Sequence, residues 1–145
     1  MKHQKPDAAT VVQQMLSKDR YSQWLGIEVL SIETGSVKLK MKVREEMCNG
    51  FGTCHGGVTY AFADSALAFA ANSHGSVSLL INASMSYPAP VMPGNEIIAT
   101  AEEQSLTDKI AIYQVKVAKT SGELVGIFKG TVYRTHKEIT LQENK

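Results

Sequence analysis

Apolar and polar residues alternate over several stretches of the chain, and this pattern predicts β-strands. The clearest stretch is VKLKMKV at 37–43, where every second residue is apolar. A period of two is typical of a strand with one buried and one solvated face. We expect about six strands, at 27–34, 37–43, 76–87, 96–106, 110–119 and 124–134. Links of hairpin length between several of them favour antiparallel pairing.

Two stretches have helical periodicity instead. Residues 6–17 place four apolar side chains on one face and carry Pro6, which suits a first turn. A short turn over 21–25 then ends at Gly26. The second helix follows a glycine-rich loop and ends near Gly75. Its sequence, VTYAFADSALAFAA, is apolar around most of its circumference, which predicts a buried helix.

These elements predict an α+β fold in which a curled antiparallel sheet wraps on one long central helix. The length of the chain, 145 residues, is typical of a single domain, 1–145. That domain has an N-terminal helical segment, 1–25, and a polar tail, 136–145, which we expect to fray.

Composition narrows the function classes. The net charge of +1 gives no reason to propose a nucleic acid or a membrane as partner. The first residues lack a signal-peptide pattern, and the two cysteines imply no disulfide framework, so we expect a cytoplasmic protein with reduced thiols. The Cys and His residues lack metal-ligand spacing, and no phosphate-binding glycine motif is present.

Asp64 is the one charged residue in the predicted central helix. Its helical neighbours at three, four and seven residues are small or apolar, and none is a cation. Burial of an unpartnered carboxylate is costly and raises its pKa. Asp64 is therefore a candidate general base or nucleophile at a pocket. The alternatives are a carboxylate hydrogen-bonded across the core and one that faces solvent.

Gly56 and Gly57 lie where this helix begins, and the first N–H groups of a helix have no partner within it. These donors, at the positive end of the helix dipole, suit a carbonyl oxygen that gains negative charge. Alternatively, the two glycines only permit close packing. His55 stands at the predicted N-cap, where a histidine is more often structural than catalytic. Asn49 is either a turn residue or an amide that orients a water or a substrate carbonyl.

These residues carry a resemblance to a known family. N-G-x-x-x-C-H-G-G followed by A-D-S-A-x-A-x-A-x-N resembles the hotdog-fold acyl-CoA thioesterases, most closely the PaaI-type (phenylacetyl-CoA) branch. The resemblance extends over nearly the whole chain, including PAPVMPG after the helix and FKGxxYR near the end. It implies hydrolysis of phenylacetyl-CoA, or a related aryl or medium-chain acyl-CoA, to the free acid and coenzyme A.

The resemblance implies a role for each motif residue. Asp64 matches the carboxylate that acts as general base on water or as nucleophile on the thioester. Gly57, with Gly56 and His55 beside it, matches the helix start whose backbone N–H polarises the thioester carbonyl. Asn49 matches the amide that helps to position the reacting groups.

One position departs from the family. Relatives often place Ser or Thr on the strand after the helix to hold the attacking water, whereas this chain has Leu79 or Leu80 near that position. Ser78 and Asn82 are the candidates to replace that Ser or Thr, and both are expected to contact substrate. Phe51 is assigned to the substrate site as well.

The resemblance also implies a homodimer with shared active sites, paired into a dimer of dimers. No metal or redox cofactor is expected, because coenzyme A is part of the substrate. Lys129, Arg134 and Lys137 are expected to cluster near the end of the last strand. They either bind the phosphates of coenzyme A or are ordinary surface charges. Two other functions stay open: a non-catalytic acyl-CoA sensor, and a hotdog dehydratase with His55 as base.

Overall fold

The computed structural model describes residues 5–140. Six strands are present in this range: β1 Glu28–Glu33, β2 Ser36–Lys42, β3 Ser76–Ser86, β4 Glu96–Leu106, β5 Ile110–Lys119 and β6 Leu124–Glu138. They form one sheet in the order β1-β2-β4-β5-β6-β3, and every neighbouring pair is antiparallel. The helices are α1 Ala8–Lys18, α2 Arg20–Leu25 and α3 Gly56–Asn72, with a 3-10 turn at Glu45–Met47.

The core lies between the sheet and α3. The helix contacts strands β2 to β6, and Phe62, Leu67 and Phe69 on it are almost fully buried. Gly130 of β6 makes room for this packing, because a Cβ at that position would overlap Leu67 Cδ1. The predicted enclosure of the helix is therefore confirmed.

Strand β2 has the predicted alternation. Val37, Leu39 and Met41 are buried, while Lys38 and Lys42 are exposed. The buried residues pair in register with β4, whose residues 97, 99 and 101 are buried too. The period-two pattern thus identified both the strand and the face that it turns to the core.

The N-terminal segment differs from the prediction in two details. The first helix begins at Ala8, with Asp7 as N-cap accepting a 2.7 Å hydrogen bond from the Thr10 N–H. Pro6 therefore precedes the cap and is not in the first turn. The predicted turn around residues 21–25 is the short helix α2, capped by Asp19 and ended by Gly26 at φ 77°.

The predicted polar tail begins too early, because β6 continues to Glu138. That residue pairs with Ser76 of β3, and the Thr135 hydroxyl donates a 2.7 Å hydrogen bond to the Val77 carbonyl. The Ile139 N–H donates to the Gly75 carbonyl at 2.8 Å. Residues 141–145 lie outside the described range. Within residues 5–140, no helix is long and apolar enough to cross a membrane.

Candidate functional site

One stripe of α3 escapes the core. It consists of Gly57, Tyr60, Ala61, Asp64 and Ala68, which are exposed or half-buried and recur at helical spacing. On one side of the stripe, α2 packs against α3 through a 2.8 Å hydrogen bond between the Ser22 and Ser65 hydroxyls. On the other side, β3 packs against α3, where Leu67 and Leu80 meet over Gly130. The stripe therefore lies between α2 and β3.

Asp64 lies half-buried on this stripe, without a polar partner in residues 5–140. No group within residues 5–140 donates a hydrogen bond to it or forms an ion pair with it. Burial raises the pKa of the Asp64 carboxyl, and the negative charge of Asp19 raises it further. The carboxylate is thus neither hydrogen-bonded across the core nor fully solvated. A raised pKa makes an ionised carboxylate a stronger base.

The N-terminus of α3 is capped by its own histidine. The predicted N-cap His55 is confirmed, and its Nδ1 accepts a 2.9 Å hydrogen bond from the Gly57 N–H. Gly57 is exposed, and a Cβ there would lie 3.1 Å from that Nδ1. The donor expected for a thioester carbonyl is therefore occupied by His55, and a substrate oxygen would compete with the exposed imidazole for it.

Asn49 uses its side-chain amide inside its own loop. Its Oδ1 accepts hydrogen bonds from the backbone N–H groups of Phe51, at 3.0 Å, and Thr53, at 3.3 Å. Its Nδ2 donates to the Thr53 hydroxyl at 3.0 Å. The Asn49 amide is therefore a turn residue in this structure, which is one of the two roles expected for it, and its contact with substrate stays a prediction. Phe51 stands at the loop tip with 95% of its surface exposed.

The two substitutes expected on β3, Ser78 and Asn82, do not line the accessible stripe of α3 in the same chain. Ser78 is buried near the C-terminal end of α3. Its N–H donates a hydrogen bond to Asn72 Oδ1, and its carbonyl accepts one from Asn72 Nδ2. Asn82 lies just after a β-bulge and pairs with Thr131 on the sheet face turned away from α3. Leu80 is the β3 residue that faces the helix beside Leu67. Within one chain, Ser78 therefore lies beside Asn72, about 12 Å along α3 from Asp64, and Asn82 points away from the helix. Contact of either residue with substrate in a shared site stays a prediction.

The basic residues of β6 do not cluster. Lys129 and Arg134 are five residues apart, about 16 Å at strand spacing, so their side chains point to opposite faces. The Arg134 guanidinium donates a 2.7 Å hydrogen bond to the Thr107 carbonyl and so fastens the β4–β5 turn. Lys137 follows three residues later on the same strand. The expected cluster is wrong for Lys129, because alternation and distance along the strand separate it from Arg134. A role of any of these cations in phosphate binding stays a prediction.

A cavity of about 340 Å³ opens beside the start of α3. Its walls are Cys54, Gly56, Thr59 and Val125, together with the segment 87–91. Tyr87 stands at this wall and donates a 2.8 Å hydrogen bond from its hydroxyl to the Gly56 carbonyl. The sequence motif PAPVMPG contributed to the family resemblance but did not predict a cavity wall. Two prolines among apolar residues were the available signal, because they form a rigid wall with few backbone donors.

Within residues 5–140, no group of three or more His, Cys, Asp or Glu side chains is arranged to hold a metal ion. The polar groups at the candidate site are a carboxylate, a histidine and the backbone donors at a helix start.

Comparison with known proteins agrees with this geometry. The model of the thioesterase superfamily matches residues 51–125, which is more than half of the chain and includes the end of the loop, α3 and the cavity walls. The chain belongs to the thioesterase superfamily. The Escherichia coli protein named acyl-coenzyme A thioesterase PaaI is 29% identical over 126 residues, which are 87% of this chain and 90% of that protein.

Solved structures extend the likeness to the whole thioesterase fold. The Escherichia coli PaaI structure has a TM-score of 0.89 at 28% identity, over 92% of this chain and 96% of that one. A mutant of the phenylacetic acid degradation protein PaaI from Thermus thermophilus has a TM-score of 0.78 at 37% identity, over 81% of this chain and 100% of that one. The predicted hotdog fold of PaaI type is confirmed.

Proposed function

We propose that this thioesterase hydrolyses acyl-CoA thioesters to a free acid and coenzyme A. The observation that carries the proposal is Asp64, a half-buried carboxylate without a polar partner in residues 5–140. It shares the accessible stripe of α3 with Gly57, whose N–H lies at the positive end of the helix. Relatives named as acyl-CoA thioesterases support the same reaction.

In the proposed reaction, the thioester carbonyl accepts a hydrogen bond from the Gly57 N–H in place of His55. Ionised Asp64 removes a proton from water as the water oxygen attacks the carbonyl carbon, or it attacks that carbon itself and forms an anhydride. In either case the C–S bond breaks, and the departing thiolate of coenzyme A takes up a proton, from Asp64 in the first route and from solvent in the second. In the second route a water then hydrolyses the anhydride, which releases the free acid and restores the Asp64 carboxylate. Donors fixed at a helix start stabilise the developing oxyanion without reorganisation.

The proposed site needs two copies of the chain. Gly57 and Asp64 are seven residues apart, which is about 10 Å along the axis of α3. A donor and a base that act on one carbonyl group must both lie within about 3 Å of the reacting atoms. Two α3 helices that run antiparallel across a two-fold axis would bring the Gly57 of one chain to the Asp64 of the other.

The exposed edge of the sheet supports such a dimer. Strand β3 is the last strand of the sheet, so one of its backbone edges is unpaired. Leu79 and Ile81 on it are 55% and 58% exposed, and Leu80 is partly exposed. Pairing of two β3 strands would cover these side chains and set the accessible stripes of the two α3 helices side by side. Further pairing of dimers into a tetramer stays a prediction.

The cavity beside Gly56 supports an apolar acyl group as substrate. Ala89, Val91 and Val125 contribute to its wall, and no charged side chain does. A volume of about 340 Å³ accommodates an aryl or medium-chain acyl group next to the helix start. Phenylacetyl-CoA or a related ester is therefore the proposed substrate, without a further cofactor. Two free cysteines accord with a reducing, cytoplasmic location.

A panel of CoA thioesters tests the function. The purified protein should release free coenzyme A from phenylacetyl-CoA and medium-chain acyl-CoA esters, followed by the loss of thioester absorbance. A sensor would bind these esters without consuming them. A dehydratase would convert 3-hydroxyacyl-CoA to enoyl-CoA with the thioester intact. Binding or dehydration without coenzyme A release would overturn the proposal.

A further inference from the structure

The two cysteines face each other at the base of the loop that precedes α3. Cys48 and Cys54 form an isolated antiparallel bridge around residues 49–53. Backbone hydrogen bonds flank the pair, from the Asn49 N–H to the Thr53 carbonyl and from the His55 N–H to the Met47 carbonyl, both 2.8 Å. This pattern identifies a non-hydrogen-bonded pair, whose Cα atoms lie about 4.5 Å apart with both side chains on one face. Disulfides form across that spacing.

Both sulfurs are thiols with weak partners. Cys48 is half-buried, and its Sγ lies 3.6 Å from the Arg44 carbonyl oxygen. Cys54 is buried, and its Sγ lies 3.8 Å from the Thr59 hydroxyl. Cys54 also lines the cavity beside α3, which offers a small molecule a way to it. A rotation of each side chain about its Cα–Cβ bond would turn the sulfurs from these contacts toward each other.

We propose that Cys48 and Cys54 are a redox-sensitive dithiol that hydrogen peroxide oxidises to an intramolecular disulfide. The Cys48 thiolate attacks the O–O bond and becomes a sulfenic acid, and one water leaves. The Cys54 sulfur then displaces the sulfenic oxygen as a second water. The two thiols lose two electrons and two protons in total, and the peroxide is reduced to two waters. A thiol reductant reverses the bond by exchange.

The order of these steps follows from the environments. Burial raises the pKa of the Cys54 thiol, so this sulfur stays protonated and reacts slowly with peroxide. Cys48 is the more accessible of the two and meets the oxidant first. Cys54 then acts as the resolving thiol from the opposite side of the bridge.

The bond would restrain the part of the molecule that the proposed function uses. It closes a ring around Asn49 and Phe51 and ends next to His55, which has to leave the Gly57 N–H before a carbonyl can bind there. Resting on that function, we expect oxidation to lower kcat/KM about ten- to a hundredfold, because small displacements of catalytic groups have effects of this size.

Mass spectrometry of the whole protein tests the site without reference to activity. After graded hydrogen peroxide, the mass should fall by about 2 Da, one peptide pair should link Cys48 to Cys54, and dithiothreitol should restore both thiols. The matched variant Cys48→Ser should have the same activity as the wild-type protein in its dithiol form. It should form no such link. Stepwise gains of oxygen on Cys48, or links only between chains, would overturn the proposal.

A second measurement separates this proposal from the proposed function. If the reduced wild type hydrolyses thioesters, the disulfide form should be slower and dithiothreitol should recover the rate; an unchanged rate would refute the restraint. If no thioester is hydrolysed, the proposed function fails while the disulfide is still decided by mass. Amide hydrogen exchange over residues 49–55 then tests whether the disulfide restrains the loop. If it does, exchange should be slower in the oxidised protein than in the reduced protein; equal exchange would refute the restraint.

Discussion

Hybrid dimers give the sharpest test of the shared site. Asp64→Asn removes the carboxylate at the middle of α3. Asn49→Ala removes four side-chain hydrogen bonds of the loop beside the glycine end, whether or not the amide also contacts substrate. The Asn49 substitution lies at the Gly57 end of α3, and the Asp64 substitution lies about 10 Å further along the helix axis. In the shared arrangement each site therefore takes its loop from one chain and its carboxylate from the other.

The two possible hybrids make opposite predictions. With the lesions on different chains, one site carries both and the other carries neither, so the dimer should keep about half of the wild-type kcat. With both lesions on one chain and a wild-type partner, each site carries one lesion, and activity should be near that of the single variants. Chains with two different affinity tags allow each hybrid to be purified and its composition confirmed by mass. If the hybrid with both lesions on one chain is the active one, each chain builds its own site.

Three further predictions follow from named contacts. Asp19→Asn keeps a good N-cap for α2 but removes the charge that raises the pKa of Asp64. Because Asp64 has to be ionised to act, activity falls as pH drops through its pKa, and this acid limb of the kcat profile should move to lower pH; an unmoved limb contradicts the assignment. Ala89→Phe should lower kcat/KM about tenfold for phenylacetyl-CoA relative to acetyl-CoA, and an unchanged ratio removes the cavity from the acyl site. Lys129→Ala should raise KM severalfold at low salt if that lysine binds a phosphate of coenzyme A. Arg134→Ala should instead lower Tm, because the Thr107 carbonyl loses its hydrogen bond. A lower Tm for Lys129→Ala and a higher KM for Arg134→Ala would contradict this separation of roles.

Periodicity was a sufficient guide to the fold. The strict alternation of β2 and the all-round apolar α3 each admit one placement, a strand with one wet face and a helix inside the sheet. Asp64 could be found for the same reason, because a charge without a partner stands out in an apolar helix. His55 could be placed as N-cap because two glycines mark the helix start.

The remaining site residues depended on features that periodicity does not record. The bulge between Leu80 and Asn82 reverses the face that the end of β3 presents, so Asn82 points away from α3. Local hydrogen bonds turn the Asn49 amide into its loop and the His55 ring onto the Gly57 N–H. Tyr87 meets Gly56 only through tertiary packing across 31 positions of chain. The spacing of residues along the sequence does not predict such contacts.

The central claim is that Asp64 performs the chemistry on the thioester, and Asp64→Asn tests it most directly. Because burial raises the pKa of this carboxyl, its charged form disfavours the folded state at neutral pH, so the neutral amide should leave Tm unchanged or higher. Coenzyme A release from phenylacetyl-CoA should nevertheless fall by about a hundred- to ten-thousandfold, since a base or nucleophile is lost. Asp19→Asn is the matched control and should keep kcat at neutral pH. An Asp64→Asn protein that folds and keeps more than about a tenth of the wild-type kcat would contradict the account.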